Sequence, residues 1–166
     1  PAYKEEVLKS RRFKHRDIVR LIHACGFRNE LVGTSFEGRD IRRVTVGSGK
    51  IKILLWSQMH GDEATATMAI FDLLNFLRSD EGQFAEMREA ILTRLELHFV
   101  PMLNPDGAER FQRRTVQEID MNRDALALQC PESRILKGLV QDLQPEFSFN
   151  LHDQSIHYAV GDTPVQ

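Results

Sequence analysis

The sequence predicts an α/β fold in which one sheet carries helices on both faces. Short apolar runs have the length of buried strands, and segments with apolar residues at helical spacing lie between them. In chain order, a hairpin is followed by strand–helix–helix–strand and then by helix–strand, an alternation typical of α/β domains. A length of 166 residues suffices for one domain with a substantial core.

The N-terminal part predicts two short helices and a hairpin. Residues 3–9 and 15–25 are expected to be helical, the second because its apolar residues recur at helical spacing and Gly26 supplies a stop. The stretch ELVGTSFEGRDIRRVTVGSG, residues 30–49, is typical of a β-hairpin with EGRD as its turn.

Strands and helices alternate in the rest of the chain. The run IKILLWSQ predicts a buried strand because it is apolar rather than alternating, and an amphipathic helix over residues 63–78 follows it. The further predicted elements are a helix at about 83–92, a strand RLELHFVPML, a turn at NPDG, a helix over 131–143 and a strand EFSFNLH.

Composition limits the partners and the compartment. The net charge of −2 gives no electrostatic reason to expect nucleic acid or an anionic membrane as a partner. No apolar stretch approaches the roughly 20 residues of a membrane span, and no signal peptide is recognisable. Two cysteines, Cys25 and Cys130, make no disulfide framework, so free thiols in a reducing compartment are the simpler interpretation. We therefore expect a cytoplasmic protein.

Polar clusters follow three predicted strands. They are His60 with Glu63, Asn104 with Asp106, and His152 with Asp153. Binding sites in open α/β sheets gather at the carboxyl ends of the strands. If these strands are parallel, all three clusters lie at one edge of the sheet.

The first and third clusters contain the side chains of a metal site. His60 and Glu63 stand three positions apart, so on a first helical turn they share a face and can reach one ion. His152 is the candidate third ligand, and two histidines with one glutamate form a recognised catalytic zinc set. An H-x-x-E pair alone is common at helix starts, so the strength of the hypothesis lies in the combination at strand ends.

Four segments then resemble one family in order and spacing. They are HGDE, NPDGAERF, RRTVQEIDMNRDA and LHDQS, and together they are similar to the zinc carboxypeptidase family (M14, the carboxypeptidase A-like metallopeptidases). The resemblance runs from about residue 36 to residue 161. It implies a three-layer α/β/α sandwich with a mixed central sheet, one Zn²⁺ ion and hydrolysis at the C-terminus of a peptide.

The resemblance also implies roles for individual residues. The implied zinc ligands are His60, Glu63 and His152. The implied substrate-side residues are Arg113, for the scissile carbonyl and its oxyanion, and Asn122 with Arg123, for the terminal carboxylate; Asp120 would orient the first histidine. Arg114 is a weaker candidate than Arg113, because Arg113 has the family's spacing to DMNRD.

Several positions depart from the family pattern. Thr115 stands where the family often has Asn, and Glu118 where it often has Gly. The family's general base is a glutamate on a late strand, and no carboxylate before Gln166 occupies its position. We therefore predict a single, incomplete catalytic domain over residues 1–166, consisting of an N-terminal helical segment, 1–27, and a zinc-binding α/β portion, 28–166.

Two consequences are expected of an incomplete domain. The 166 residues by themselves would show little or no peptidase activity, and exposed sheet edges would favour a homodimer.

Other functions remain open at this point. A deacylase of the same fold would act on N-acyl amino acids and share the zinc ligands and the carboxylate-binding arginine, so the expected substrate is a peptide or acyl-amino acid with a free carboxylate. A non-catalytic module would bind a metal or a carboxylate without hydrolysis. A scaffold without metal would require His60, Glu63 and His152 to lie apart.

Overall fold

The computed structural model describes residues 2–80 and 82–153; residues 154–166, with the end of the LHDQS segment, lie outside the described part. The strands are β1 (Arg28–Thr34), β2 (Asp40–Val46), β3 (Ile51–Ser57), β4 (Leu95–Val100) and β5 (Phe147–Leu151). The helices are α1 (His15–Ala24), α2 (Thr65–Arg78), α3 (Ala85–Arg94), α4 (Pro105–Arg110) and α5 (Pro131–Leu143), with a short 3₁₀ helix at Met121–Arg123.

The five strands form one mixed sheet in the order β1-β2-β4-β3-β5. β2 is antiparallel to β1 and to β4, whereas β3 is parallel to β4 on one side and to β5 on the other. The predicted mixed sheet is confirmed. Because β3, β4 and β5 run in the same direction, their carboxyl ends meet at one edge, which is where the polar clusters follow.

Helices cover both faces, so the predicted three-layer α/β/α sandwich is confirmed. Alternate strand residues sort to opposite sides of the sheet, as the pleat requires. One core cluster joins strand residues such as Val44 and Phe99 to α1 and α2. The other joins Ile41, Leu54 and Val100 to α5. None of the helices in the described ranges combines the length and the apolar character needed to cross a bilayer.

Two local predictions are wrong. Residues 3–9 form turns instead of a helix, because tertiary contacts fix this segment: the Glu5 N–H donates to Asp72 Oδ1 at 2.7 Å, and Leu8 is buried. NPDG is the start of α4 and not an isolated turn. Pro105 occupies the first helical turn, and Asn104 caps the helix by accepting from the Gly107 N–H.

Candidate metal site

The loop between β3 and α2 carries the first two candidate ligands. His60 Nδ1 lies 2.8 Å from Glu63 Oε1, and both side chains are buried. The predicted helix begins at Thr65, two positions later than expected, so the pair lies in the turn that leads into α2.

His152, directly after β5, completes the group. Its Nδ1 lies 2.7 Å from Glu63 Oε2, and its ring centroid is 4.9 Å from that of His60. One ligand atom from each of His60, Glu63 and His152 lies within 4.8 Å of the others. The structure thus brings together three side chains that come from two distant parts of the chain, and a scaffold with these residues apart is ruled out.

The Glu63 carboxylate is held in its charged form. Burial by itself would raise the pKa of Glu63. Hydrogen bonds with both histidines and with the Asp153 N–H outweigh that effect and lower this pKa to about 2. Two imidazole nitrogens facing one buried carboxylate are a donor set that suits zinc, so these residues fit the ion.

Asp120 lies on the far side of the His60 ring. Its Oδ1 is 3.2 Å from His60 Nε2, and its side chain also accepts the Asn122 N–H at 3.0 Å. Burial would raise the pKa of Asp120, but these two bonds together with the nearby Arg113 charge lower it. A carboxylate on the outer nitrogen orients the ring and leaves Nδ1 facing inward.

Arg113, rather than Arg114, reaches the site. Its Nη1 donates to Glu63 Oε1 at 2.9 Å, and its Nη2 lies 3.5 Å from Asp120 Oδ2. Arg114 instead donates to the backbone carbonyl of Glu118. About half of the Arg113 side chain is exposed, so the guanidinium borders the site and can turn toward a bound molecule.

Asn122 and Arg123 occupy the short 3₁₀ helix beside the site. The Asn122 side chain lies 3.4 Å from His60 Nε2, and its Oδ1 accepts from Asn150 Nδ2 at 3.3 Å. The Arg123 side chain is exposed to solvent. Asn122 and Arg123 therefore place one fixed amide and one accessible guanidinium at the edge of the candidate metal site.

The turn before Asp120 includes a backbone conformation that favours glycine, at the position where the family often has glycine. Glu118 adopts a left-handed conformation with φ of 61°. Thr115 is buried, and its backbone N–H and carbonyl bond Ile119 and Glu118. A residue with a Cβ is strained in this region, whereas glycine is not.

The Asp106 side chain bonds the distant hairpin turn and not the backbone of its own NPDG segment. It is fully buried and accepts from the Ser35 hydroxyl at 2.7 Å, from the Glu37 N–H at 2.9 Å and from Arg39 Nη1 at 2.6 Å. Asp106 therefore joins α4 to the hairpin turn. Asn104 bonds the local backbone by capping α4, and its Nδ2 also donates to the Met59 carbonyl.

Gln58 supports the loop that carries His60, a role that was not predicted from the sequence. It has a left-handed backbone with φ of 46° and is buried. Its Nε2 donates to the Gly61 carbonyl at 2.9 Å, and its Oε1 accepts from the Thr67 hydroxyl at 2.8 Å. Gln58 thus fixes the loop that carries His60 to the first turns of α2. The one available signal was a second polar residue, after Ser57, where the largely apolar run of β3 ends.

Comparisons with known proteins show a family and a fold. The model of a family described as zinc carboxypeptidase matches residues 6–154. Carboxypeptidase 2 of Trichophyton rubrum is 28% identical over 114 residues, which are 69% of this chain and 20% of that protein. The chain therefore spans about a fifth of the length of that curated relative.

Solved structures share the fold. A metallo-carboxypeptidase from Burkholderia cenocepacia superposes with a TM-score of 0.77 at 20% identity, covering 86% of this chain and 41% of the other. A metallo-carboxypeptidase from Pseudomonas aeruginosa, in complex with (2-guanidinoethylmercapto)succinic acid, gives 0.72 at 24% identity, covering 86% and 40%. At this level of identity the likeness establishes the fold.

Proposed function

Because this chain belongs to the zinc carboxypeptidase family, we propose that it forms the zinc-binding part of a metallocarboxypeptidase that removes C-terminal residues from peptides. The observation that carries the proposal is the convergence of His60, Glu63 and His152, whose ligand atoms lie within 4.8 Å of one another. Localisation in the cytoplasm, and the absence of nucleic acid and membranes among the partners, stay predictions.

The three side chains would hold one zinc ion. When bound, zinc supplies a Lewis acid that polarises a carbonyl and lowers the pKa of water toward about 7. Asp120 would keep the His60 ring in the orientation that turns Nδ1 inward, as its 3.2 Å contact with Nε2 supports.

The substrate would bind to the side chains at the edge of the metal site. Arg123 is exposed and would donate parallel hydrogen bonds to the terminal carboxylate of a peptide, with Asn122 beside it. Arg113 would stabilise the oxyanion that develops on the scissile carbonyl, since its half-exposed guanidinium already borders Glu63.

Three carboxylates at the site already have partners, so none of the three is available as a general base. In the described part of the chain, Glu63 bonds both histidines, Asp120 bonds His60, and Asp153 pairs with Arg11. Each already has a role in orientation or in the proposed metal set. We therefore expect the 166-residue chain to bind zinc and to release little or no C-terminal residue from peptides.

Metal analysis tests the proposal. Purified wild-type chain should retain about one equivalent of zinc after dialysis, and His60→Ala and His152→Ala should lose it. His23→Ala is the matched control, because His23 is exposed on α1. Zinc content that is unaffected in both site variants would remove the assignment.

Substrate class is decided by a separate assay. Peptides and N-acylated amino acids should be compared as substrates of an active form of the enzyme that includes these residues. Faster turnover of the acylated amino acids would replace the peptidase proposal with a deacylase of the same fold.

A further inference from the structure

We propose that Arg11 is a positioning residue of the metal site, which ties the loop carrying His60 and Glu63 to the strand end carrying His152. This inference rests on the proposed function, since it concerns the same group of side chains.

One guanidinium nitrogen makes both connections. Arg11 Nη2 donates to the Asp62 carbonyl at 3.1 Å and lies 2.7 Å from Asp153 Oδ2. Asp62 directly precedes Glu63, and Asp153 directly follows His152. Arg11 therefore bridges the two chain segments that must meet for the ligand set to form.

Asp153 passes this restraint to the ligands. Its backbone N–H donates to Glu63 Oε2 at 3.1 Å, so a shift of Asp153 would displace a hydrogen-bond donor of the Glu63 carboxylate. Its side chain accepts from the Thr65 hydroxyl at 2.6 Å and from the Thr65 N–H at 3.3 Å. Ala64, at the N-cap of α2, offers no side-chain acceptor, so Asp153 caps this helix from a distant part of the chain.

Arg11 is itself held in place. It belongs to an N-terminal strap, residues 2–14, whose ends are anchored by the Glu5 bond to Asp72 and by a 2.6 Å bond from Lys14 Nζ to the Glu109 carbonyl. The Arg11 side chain is 32% exposed and that of Asp153 15%, so solvent screens this ion pair less than a fully exposed one. The strap thus holds the Arg11 guanidinium in place between Asp62 and Asp153.

Zinc affinity measured by competition with a chelator tests the inference. Removing a direct hydrogen-bond partner of a metal ligand typically weakens binding about 10–100-fold, and Arg11 acts one residue further out, through Asp62 and Asp153. We therefore expect Arg11→Met to weaken zinc binding by up to about 10-fold and to alter the visible spectrum of the cobalt-substituted protein. Arg11→Lys, which keeps the charge, should recover part of the affinity. Arg12→Met is the matched control, because the Arg12 guanidinium lies over the Phe111 ring at 4.3 Å from its centroid.

Zinc affinity and a cobalt spectrum like those of the wild type in folded Arg11→Met would overturn the inference. If Arg11→Met does not fold, Asp153→Asn gives a second test, because it removes the charge of the same ion pair and keeps an oxygen that can accept from Thr65.

A metal-free measurement separates this inference from the proposed function. In the chain without metal, Arg11→Met should speed amide hydrogen exchange at Thr65 and Asp153, whose N–H groups donate within this junction. A wild-type chain that binds no zinc would count against the proposed function alone. Unchanged exchange at both amides would count against the role of Arg11, whether or not zinc binds.

Discussion

Gly61 and Gly107 lie back to back where the loop before α2 crosses α4. A Cβ on Gly61 would come within 2.1 Å of the Gly107 carbonyl carbon, a distance that real Cβ atoms do not reach. The Gly61 N–H also donates to the Arg113 carbonyl at 3.3 Å. This close approach seats the loop that carries His60 on the segment that carries Arg113.

Gly61→Ala should therefore disrupt both packing and site. We expect the free energy of unfolding to fall by roughly 1–3 kcal/mol, as in other overpacked positions, and zinc affinity to fall with it. Gly138→Ala is the control. Gly138 lies within α5 with open space around a new Cβ, so this substitution should raise the free energy of unfolding by roughly 0.5–1 kcal/mol. Urea denaturation measures both. Equal effects of the two substitutions would contradict the packing argument.

Acid stability should depend on Asp124. Burial would raise the pKa of this carboxyl, but the N–H groups of Gln129 and Cys130 and the hydroxyl of Ser133 outweigh it and lower the pKa to about 2, against 3.8 ordinarily. A depressed pKa in the folded state contributes stability above about pH 4, and this contribution is lost as the pH falls toward 2. The free energies of unfolding of wild type and Asp124→Asn should thus differ by a constant amount above about pH 4, and the difference should shrink as the pH falls from about 4 toward 2. A gap that stays constant over this acidic range as well would refute this assignment.

Glu118→Gly should stabilise the turn before Asp120. Glycine adopts the left-handed backbone of this position without the strain that a Cβ causes, and part of the gain is offset by the entropy of glycine in the unfolded chain. We expect a rise of up to about 1 kcal/mol in the free energy of unfolding. Glu118→Ala keeps the Cβ and should change little, so identical values for the two variants would show that backbone strain is not the cause.

The outer strand β5 should mediate self-association. In the described sheet β5 pairs with β3 alone, and its Phe147 and Phe149 are 57% and 46% exposed. An open edge with apolar side chains favours pairing with a second copy. Size-exclusion chromatography with light scattering should find a concentration-dependent dimer that Phe149→Lys weakens and that Leu126→Lys, at an exposed position away from the sheet, leaves intact. A monomer at all concentrations would end this prediction.

The sheet strands and the long helices could be predicted because their signals are local. The apolar run of β3 and the helical spacing in α2 follow from periodicity within one element, and the boundaries differ from the prediction by about two residues at the start of α2. His60 and Glu63 were likewise found by local spacing. His152 required the order of strands, which brought its strand end to the same edge.

Features that depend on distant contacts could not be predicted in this way. Residues 3–9 have the composition of a helix, but contacts with α2 hold them in turns. Asp106 has the sequence context of a turn residue, but its partners lie about 70 positions earlier, in the hairpin. The bridge from Arg11 to Asp153 joins nearly the two ends of the described chain, and no local pattern encodes it.

The separation of the ligand residues along the chain has a consequence for how a cell makes this protein. His60 and Glu63 leave the ribosome together, whereas His152 follows Glu63 by 89 residues. At about 5–20 residues per second, several seconds pass during which the nascent chain offers two ligands of the three. The complete ligand set would thus become available only after β1 to β4 have been synthesised, so these strands could begin to pair before all three ligands can hold a metal.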